Sequence, residues 1–244
     1  MIGFYSQNGE DIIIDYIFRQ KSEGLFVEIG CIDGRRFSNT LRLEERGWRG
    51  ICVEAHADYI ESLKINRPNS IVCHCAVAEK DNDEVAFYAN SRGSLSTLDE
   101  SREAEFRRKF GNYFTGFVKQ EVNARTLTTI FNENNIESID FMSLDIEGYE
   151  VEAIRGLDLD RYKPEIMVIE SDSKKQETQL DEILINVGYI KPIRIKNNIF
   201  YVRDKKIAEL IREKSFNGKL IHTEHPLDSG GDQIIQTRVD KTNY

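Results

Sequence analysis

The sequence predicts an α/β domain with a mostly parallel β-sheet and helices on both of its faces. Three observations predict it. Short apolar runs alternate with segments of helical period along most of the 244 residues. Several runs end in an acid or a glycine, at Gly30, Glu54, Asp145 and Glu170, where a parallel strand hands over to a turn. Near the end, two β-rich runs flank Lys196-Asn197-Asn198, a hairpin that ends the sheet antiparallel.

In chain order, residues 8–20 read as a helix with Ile13, Ile14 and Ile17 on one side, and 25–30 as the first strand. Residues 38–47 form a helix that Ser38 can cap, and 50–54 the second strand. The helix at 58–66 carries Ile60 and Leu63 and closes before Pro68. Residues 70–77 are the third strand, and 84–88 a short β segment that pairs locally. The rhythm breaks over 91–125, a stretch punctuated by Gly93, Gly111 and Gly116 with a charged helical segment at 99–110. It resumes with a helix at 126–134, strand four at 139–145, a short helix at 149–156 and strand five at 165–170. The helix at 175–187 sets Leu180, Ile183, Leu184 and Val187 on one face and is closed by Gly188. Strands at 189–195 and 199–201 form the hairpin, and a helix follows at 205–214. The tail, 217–244, is polar and patternless. No repeat or linker divides the chain, so residues 1–244 read as one domain.

Hydrophobic residues make up 40% and charged residues 31% of the chain, ordinary for a soluble protein of a size that buries one large core. A net charge of -9 gives no general attraction to nucleic acid or to anionic membranes. No apolar run approaches the ~20 residues that span a bilayer. The N-terminus shows no basic segment followed by an apolar one, so a cytoplasmic protein is expected. Cys31, Cys52, Cys73 and Cys75 fall in or beside predicted strands and read as small core residues in a reducing compartment. Cys73-His74-Cys75 lacks a second pair at metal-site spacing.

A buried strand, a tight glycine turn and a second strand ending in an acid are the parts of a nucleotide-binding crossover. Here they are Phe26-Val27-Glu28-Ile29-Gly30, with Gly34 following, and Ile51-Cys52-Val53-Glu54, whose acid lies 20 residues after Gly34. An acid there can accept both hydroxyls of a ribose. Glu28 ahead of Gly30 argues against a dinucleotide: a carboxylate repels a pyrophosphate and attracts the cationic amino-acid end of S-adenosylmethionine. The absence of Gly-x-Gly-x-x-Gly points the same way. Gly30, Glu54, Ala76, Val77, Asp145 and Glu170 all end predicted strands and should gather along one rim.

With these segments in view, the chain resembles the FkbM family of S-adenosylmethionine-dependent methyltransferases. The matching stretches are Tyr5-Ser6-Gln7-Asn8-Gly9-Glu10-Asp11, Phe26-Val27-Glu28-Ile29-Gly30-Cys31-Ile32-Asp33-Gly34, Ser38-Asn39-Thr40, Gly47-Trp48-Arg49-Gly50-Ile51-Cys52-Val53-Glu54 and Leu144-Asp145-Ile146-Glu147-Gly148-Tyr149-Glu150. The resemblance implies a Rossmann-like class I methyltransferase fold, a seven-stranded, mostly parallel sheet with the last strand antiparallel. It implies methyl transfer to a hydroxyl of a sugar or glycan. By position, Glu28 and Gly30 hold the methionine end, Glu54 the ribose, and Ala76 and Val77 the adenine. Asp145 lies below the methionine amine near the acceptor, and Gln7, Glu10, Gly34 and Asn39 also face the cofactor. His56 stands where a proline is common and Tyr149 where a small residue is common.

A sugar hydroxyl must lose its proton as it is methylated. Asp145 is the candidate general base. The other route is a divalent metal that acidifies the hydroxyl; Asp145 and Glu170 offer hard oxygen ligands for Mg²⁺ or Mn²⁺. Glu170-Ser171-Asp172 reads equally as a solvated loop. Residues 91–125 are expected to cover the acceptor. Their seven Lys/Arg against five Asp/Glu suit an anionic glycan or simply a solvated helix. Two other readings stay open: a catalytically silent binding module on this fold, and an NAD-dependent oxidoreductase.

Overall fold

The computed structural model describes residues 4–217, 220–223 and 234–237. Strands β1 (Leu25–Ile29), β2 (Arg49–Glu54), β7 (Phe141–Leu144) and β8 (Ile166–Glu170) are almost wholly buried and run parallel. Their side chains alternate between two cores. Val27, Met142, Met167 and Ile169 face one core, while Phe26, Phe141, Ile166 and Val168 face the other. Helices α5 (Leu127–Glu133), α6 (Glu150–Arg155) and α7 (Lys174–Leu184) cover the first face through Ile130, Phe131, Ile154, Leu180 and Leu184. Helices α1 (Glu10–Ile17), α2 (Leu41–Glu45) and α3 (Ile60–Asn66) cover the second through Ile13, Ile14, Leu43 and Leu63, joined by Ile211 of α8 (Lys205–Asn217).

The full sheet adds β3 (Ser70–His74) at one edge and β10 (Asn198–Val202) and β9 (Arg194–Ile195) at the other, in the order β3-β2-β1-β7-β8-β10-β9. β10 runs antiparallel to both β8 and β9. This is the seven-stranded, mostly parallel sheet that the sequence implied. The chain steps outward from β1 to β2 and β3, then returns to the other side of β1 with β7. The strand order therefore reverses between β1 and β7, which opens a crevice at their carboxyl ends.

Four segments differ from the sequence reading. The expected strand 70–77 breaks after His74. Ala76–Val77 becomes β4 of a second, three-stranded sheet with β5 (Asn82–Ala89) and β6 (Val118–Arg125). Ala76, Phe87, Ala89, Val122 and Ala124 give that sheet its own small core. The second change is that the end of 91–125 is strand β6 rather than loop. Only Val122 and Ala124 of its eight residues are buried, too little alternation to announce a strand. Third, the strand at 189–195 shrinks to two residues, because Pro192 has no N–H to donate to a ladder. Fourth, the tail expected to be patternless carries β11 (Leu220–Thr223) and β12 (Ile234–Thr237), paired antiparallel; its remaining residues lie outside the described ones.

Candidate active site

The carboxyl ends of the central strands open into one cavity of about 330 Å³, the size of a small-molecule site. Gln7, Glu10, Glu28, Gly30, Asn39, Glu54, Ala76, Val77, Asp145 and Glu170 all line it. Gly34 does not. A Cβ there would meet Arg67 and Leu63 at 2.6 Å, so Gly34 packs on the end of α3, behind the turn.

Gly30 is the floor of the cavity. Its φ is +84°, and a Cβ on it would lie 1.7 Å from the Asp145 carbonyl oxygen. Only glycine lets the β1 turn and the end of β7 close to this distance. Glu28, two residues earlier, is committed to the protein. Its carboxylate accepts from Ser38 Oγ (2.9 Å), Asn39 N (2.7 Å), Thr40 Oγ1 (2.8 Å) and Arg67 Nη1 (2.8 Å). Arg67 is fully buried, and its Nε donates to Glu44 at 2.6 Å. A buried carboxylate needs such donors. Glu28 thus fixes the 38–40 loop around the cavity, and the surface left facing a ligand there is largely backbone. Sequence reasoning missed Arg67. The signal was a charge inside an apolar strand, which requires a cation without saying which one.

Glu54 closes β2 with one oxygen accepting Ile32 N and the other His56 N, each at 2.7 Å. Both oxygens keep a lone pair for a ligand. Burial lifts this carboxyl from its ordinary value to about 7, against the pull of the backbone N–H groups. His56 supplies an N–H that a proline would lack. Its ring accepts from Asp58 N at Nδ1 (3.3 Å), so Nε2 carries the proton and donates to Asn90 O (3.1 Å). Burial also lowers its pKa, consistent with a neutral ring. Glu10 is fully buried and accepts from Asn8 N (2.9 Å) and Asn198 Nδ2 (2.7 Å), tying α1 to β10 under the cavity.

At the far end of the cavity, carboxyl groups crowd together. Asp145 and Glu170 end the adjacent strands β7 and β8 with carboxylate oxygens within 4.8 Å of each other, and Glu170 Oε2 is buried without a hydrogen-bond partner. Two carboxyls this close disfavour each other's ionisation. Burial, then the neighbouring Glu147, pushes Asp145 well above the usual carboxylate range; burial and then Asp145 push Glu170 up. Glu150 is already engaged by Ile146 N (2.9 Å), Gly148 N (3.1 Å) and Gln176. Asp172 is brought to the rim, not left in a solvated loop, where it pairs with Arg102 and with Lys109 (3.5 Å) and accepts from Asn197 Nδ2 (2.8 Å).

Residues 91–125 pack around their own aromatic cluster. Phe106, Phe114 and Leu95 are buried with Phe110 and Phe117 against them, their rings meeting edge to face. Helix α4 (Glu103–Phe110) and the turn after it bring Phe110 and Tyr113 to the cavity, opposite Tyr149. The basic residues of this stretch are largely engaged elsewhere: Arg102 and Lys109 on Asp172, Arg107 on Glu103 and Arg125 on Asp83. Of the seven, only Lys109 lines the cavity, so the charge balance of 91–125 gives no anion site there.

A sheet of this order, with a glycine turn after β1, an acid ending β2 and acids ending β7 and β8 around one crevice, defines the Rossmann-like class of S-adenosylmethionine-dependent methyltransferases. The chain belongs to the FkbM methyltransferase family: the Methyltransferase FkbM domain matches residues 28–191, more than half of the chain. No curated protein matches it. Among solved structures, it is similar to a TehB-like SAM-dependent methyltransferase from Corynebacterium glutamicum, with 12% identity over 82% of this chain and 89% of that one and a TM-score of 0.41. It is also similar to an O-methyltransferase from Bacillus cereus in complex with SAH, with 11% identity, 83% and 84% coverage and a TM-score of 0.44.

Proposed function

We propose that the protein transfers a methyl group from S-adenosylmethionine to a hydroxyl of a sugar or glycan, with Asp145 as general base. The observation that carries this reading is that Asp145 and Glu170 end adjacent strands and both line the cavity, with carboxylate oxygens within 4.8 Å of each other. The residues present suit the methyl donor. Gly30 presents backbone to the cavity where β1 and β7 close together, Glu54 offers two acceptors to a ribose diol, and Ala76 and Val77 offer an apolar edge to a base. The acids around the β1–β7 crevice suit the donor's positive charges. When bound, S-adenosylmethionine supplies a methyl group already activated by its sulfonium.

The protein's work is then alignment and proton removal. Positioning by the β1 turn and Glu54 can supply roughly 7–11 kcal/mol of the barrier. Asp145 accepts the hydroxyl proton, and such a base contributes ~10²–10⁴-fold. Phe110, Tyr113 and Tyr149 offer ring faces to the C–H faces of a sugar. Glu147, Asp172 and Asn197 offer polar groups to its hydroxyls.

A divalent cation is the second reading, favoured by one observation. Oxygens of Asp145, Glu150 and Glu170 lie within 4.8 Å of one another, as do those of Glu147, Glu170 and Asp172. The donors are hard and fit Mg²⁺ or Mn²⁺. Since Glu150 and Asp172 are engaged by the protein, Asp145 and Glu170 would hold the ion, and its contribution would be a lower pKa for the bound hydroxyl. One experiment tests both readings: methyl transfer from labelled S-adenosylmethionine to a glycan panel, with wild type, Asp145→Asn and chelator-treated wild type. Asp145→Asn should lose ~10²–10⁴-fold in kcat. Indifference to the chelator supports the base, and a loss restored by Mg²⁺ or Mn²⁺ supports the metal. Near-normal kcat in Asp145→Asn contradicts both.

A further inference from the structure

We propose that Asn39 Oδ1 accepts a hydrogen bond from the α-ammonium group of S-adenosylmethionine, so that this one side chain recognises the amino-acid end of the methyl donor. The inference rests on the cofactor reading above and names the group that Asn39 selects.

Asn39 is 8% exposed and lines the cavity. It is held at two points. Its backbone N–H donates to Glu28 Oε1 at 2.7 Å, and its Nδ2 donates to Ser143 Oγ at 2.9 Å. Glu28 and Ser143 are register partners on β1 and β7, so the amide straddles the seam where strand order reverses. With both anchors made, Oδ1 is buried and accepts from nothing in the protein. An orphaned buried acceptor is rare enough to require a reason. A donor arriving with a ligand is one.

The direction of the ligand says which donor. Glu54 on β2 marks the ribose end, on one side of β1. Asn39 marks the other side, towards β7. A molecule whose ribose sits at Glu54 and which spans β1 brings its amino-acid end to Asn39. Oδ1 is an acceptor, so it takes the ammonium and not the carboxylate, which has no proton to donate. Glu10 and Asp145 line the same cavity. Of the cations lining it, Lys109 pairs with Asp172, while Arg36 donates to Arg92 O and keeps a buried Nε without a partner.

Calorimetry with three ligands tests the proposal. S-adenosylhomocysteine carries amine and carboxylate, decarboxylated S-adenosylmethionine carries the amine alone, and 5′-methylthioadenosine carries neither. Asn39→Ala should weaken the first two about 10- to 100-fold and leave the third unchanged, the loss expected for a hydrogen bond to a charged group. Asn39→Asp keeps an acceptor in place and should bind both amine-bearing ligands at least as tightly as wild type. It also carries the test if the alanine variant fails to fold. Unchanged affinities in Asn39→Ala, or equal loss of all three, overturn the proposal. So does an Asn39→Asp protein that keeps decarboxylated S-adenosylmethionine and loses S-adenosylhomocysteine, because the amide's nitrogen would then face the carboxylate. Each of these results leaves the cofactor reading standing. A wild type that binds none of the three overturns that reading and this one together.

Discussion

At the scale of single residues, Glu54 ties the cofactor to pH. Its carboxyl titrates near 7 in the folded protein and near 4.5 when exposed. The folded state therefore binds this proton more tightly. The group favours folding least above pH 7, and the stability it contributes is lost as pH rises from about 4.5 through 7. Ribose hydroxyls donate to the ionised form, so ligand binding runs the other way. Affinity for S-adenosylhomocysteine should tighten about tenfold from pH 6 to pH 8 in wild type and stay flat in Glu54→Gln, measured by calorimetry. A slope that persists unchanged in Glu54→Gln would assign the titration to another acid. Glu54, Asp145 and Glu170 were legible in the sequence because each ends an apolar run, and a strand end in a parallel sheet has a known address. Arg102 was not. It meets Asp172 across 70 residues of chain, and neither residue sits in a pattern that names the other.

At the scale of elements, the 91–125 segment, the expected acceptor cover, is fastened to the two loops that carry the acids. Thr97 Oγ1 donates to Glu147 O at 2.9 Å, and Arg102, almost fully buried, lies over Gly148 on its way to Asp172. Gly148 makes room for it: φ is +109° there, and a Cβ would lie 2.4 Å from Arg102 Nη1. Gly148→Ala should push Arg102 off the rim and loosen the cover. Amide hydrogen exchange in α4 should then rise by on the order of tenfold while affinity for S-adenosylhomocysteine changes little. Unaltered exchange in α4 would mean that Arg102 does not fasten the cover. The β1, β2, β7 and β8 strands and their helices were readable because both faces of each strand are buried and the apolar run is unbroken. The β4–β6–β5 sheet was hidden for the opposite reason. β6 is mostly exposed, and β4 has two residues whose partner lies 48 positions on, Ala76 opposite Ala124.

At the scale of the whole molecule, the crevice exists because the chain returns past β1 after β3, and every proposed contact with the methyl donor follows from that one reversal. Among the described residues, no helix is long and apolar enough to cross a membrane. The order of strands was implied by the family resemblance and not by periodicity, which places strands along the chain but does not say which are neighbours. Glu28 shows the same gap from the other side: its position at the crevice was legible, and its capture by Arg67 was not, because packing across the sheet decides it.

A crystal structure of the protein with S-adenosylhomocysteine tests the central claim most directly. The expected result has the ribose hydroxyls within hydrogen-bonding distance of Glu54, the amino-acid end at the β1–β7 seam, and the sulfur facing the Asp145–Glu170 pair. A ligand bound outside this crevice, or reversed with its amino-acid end at Glu54, would contradict it.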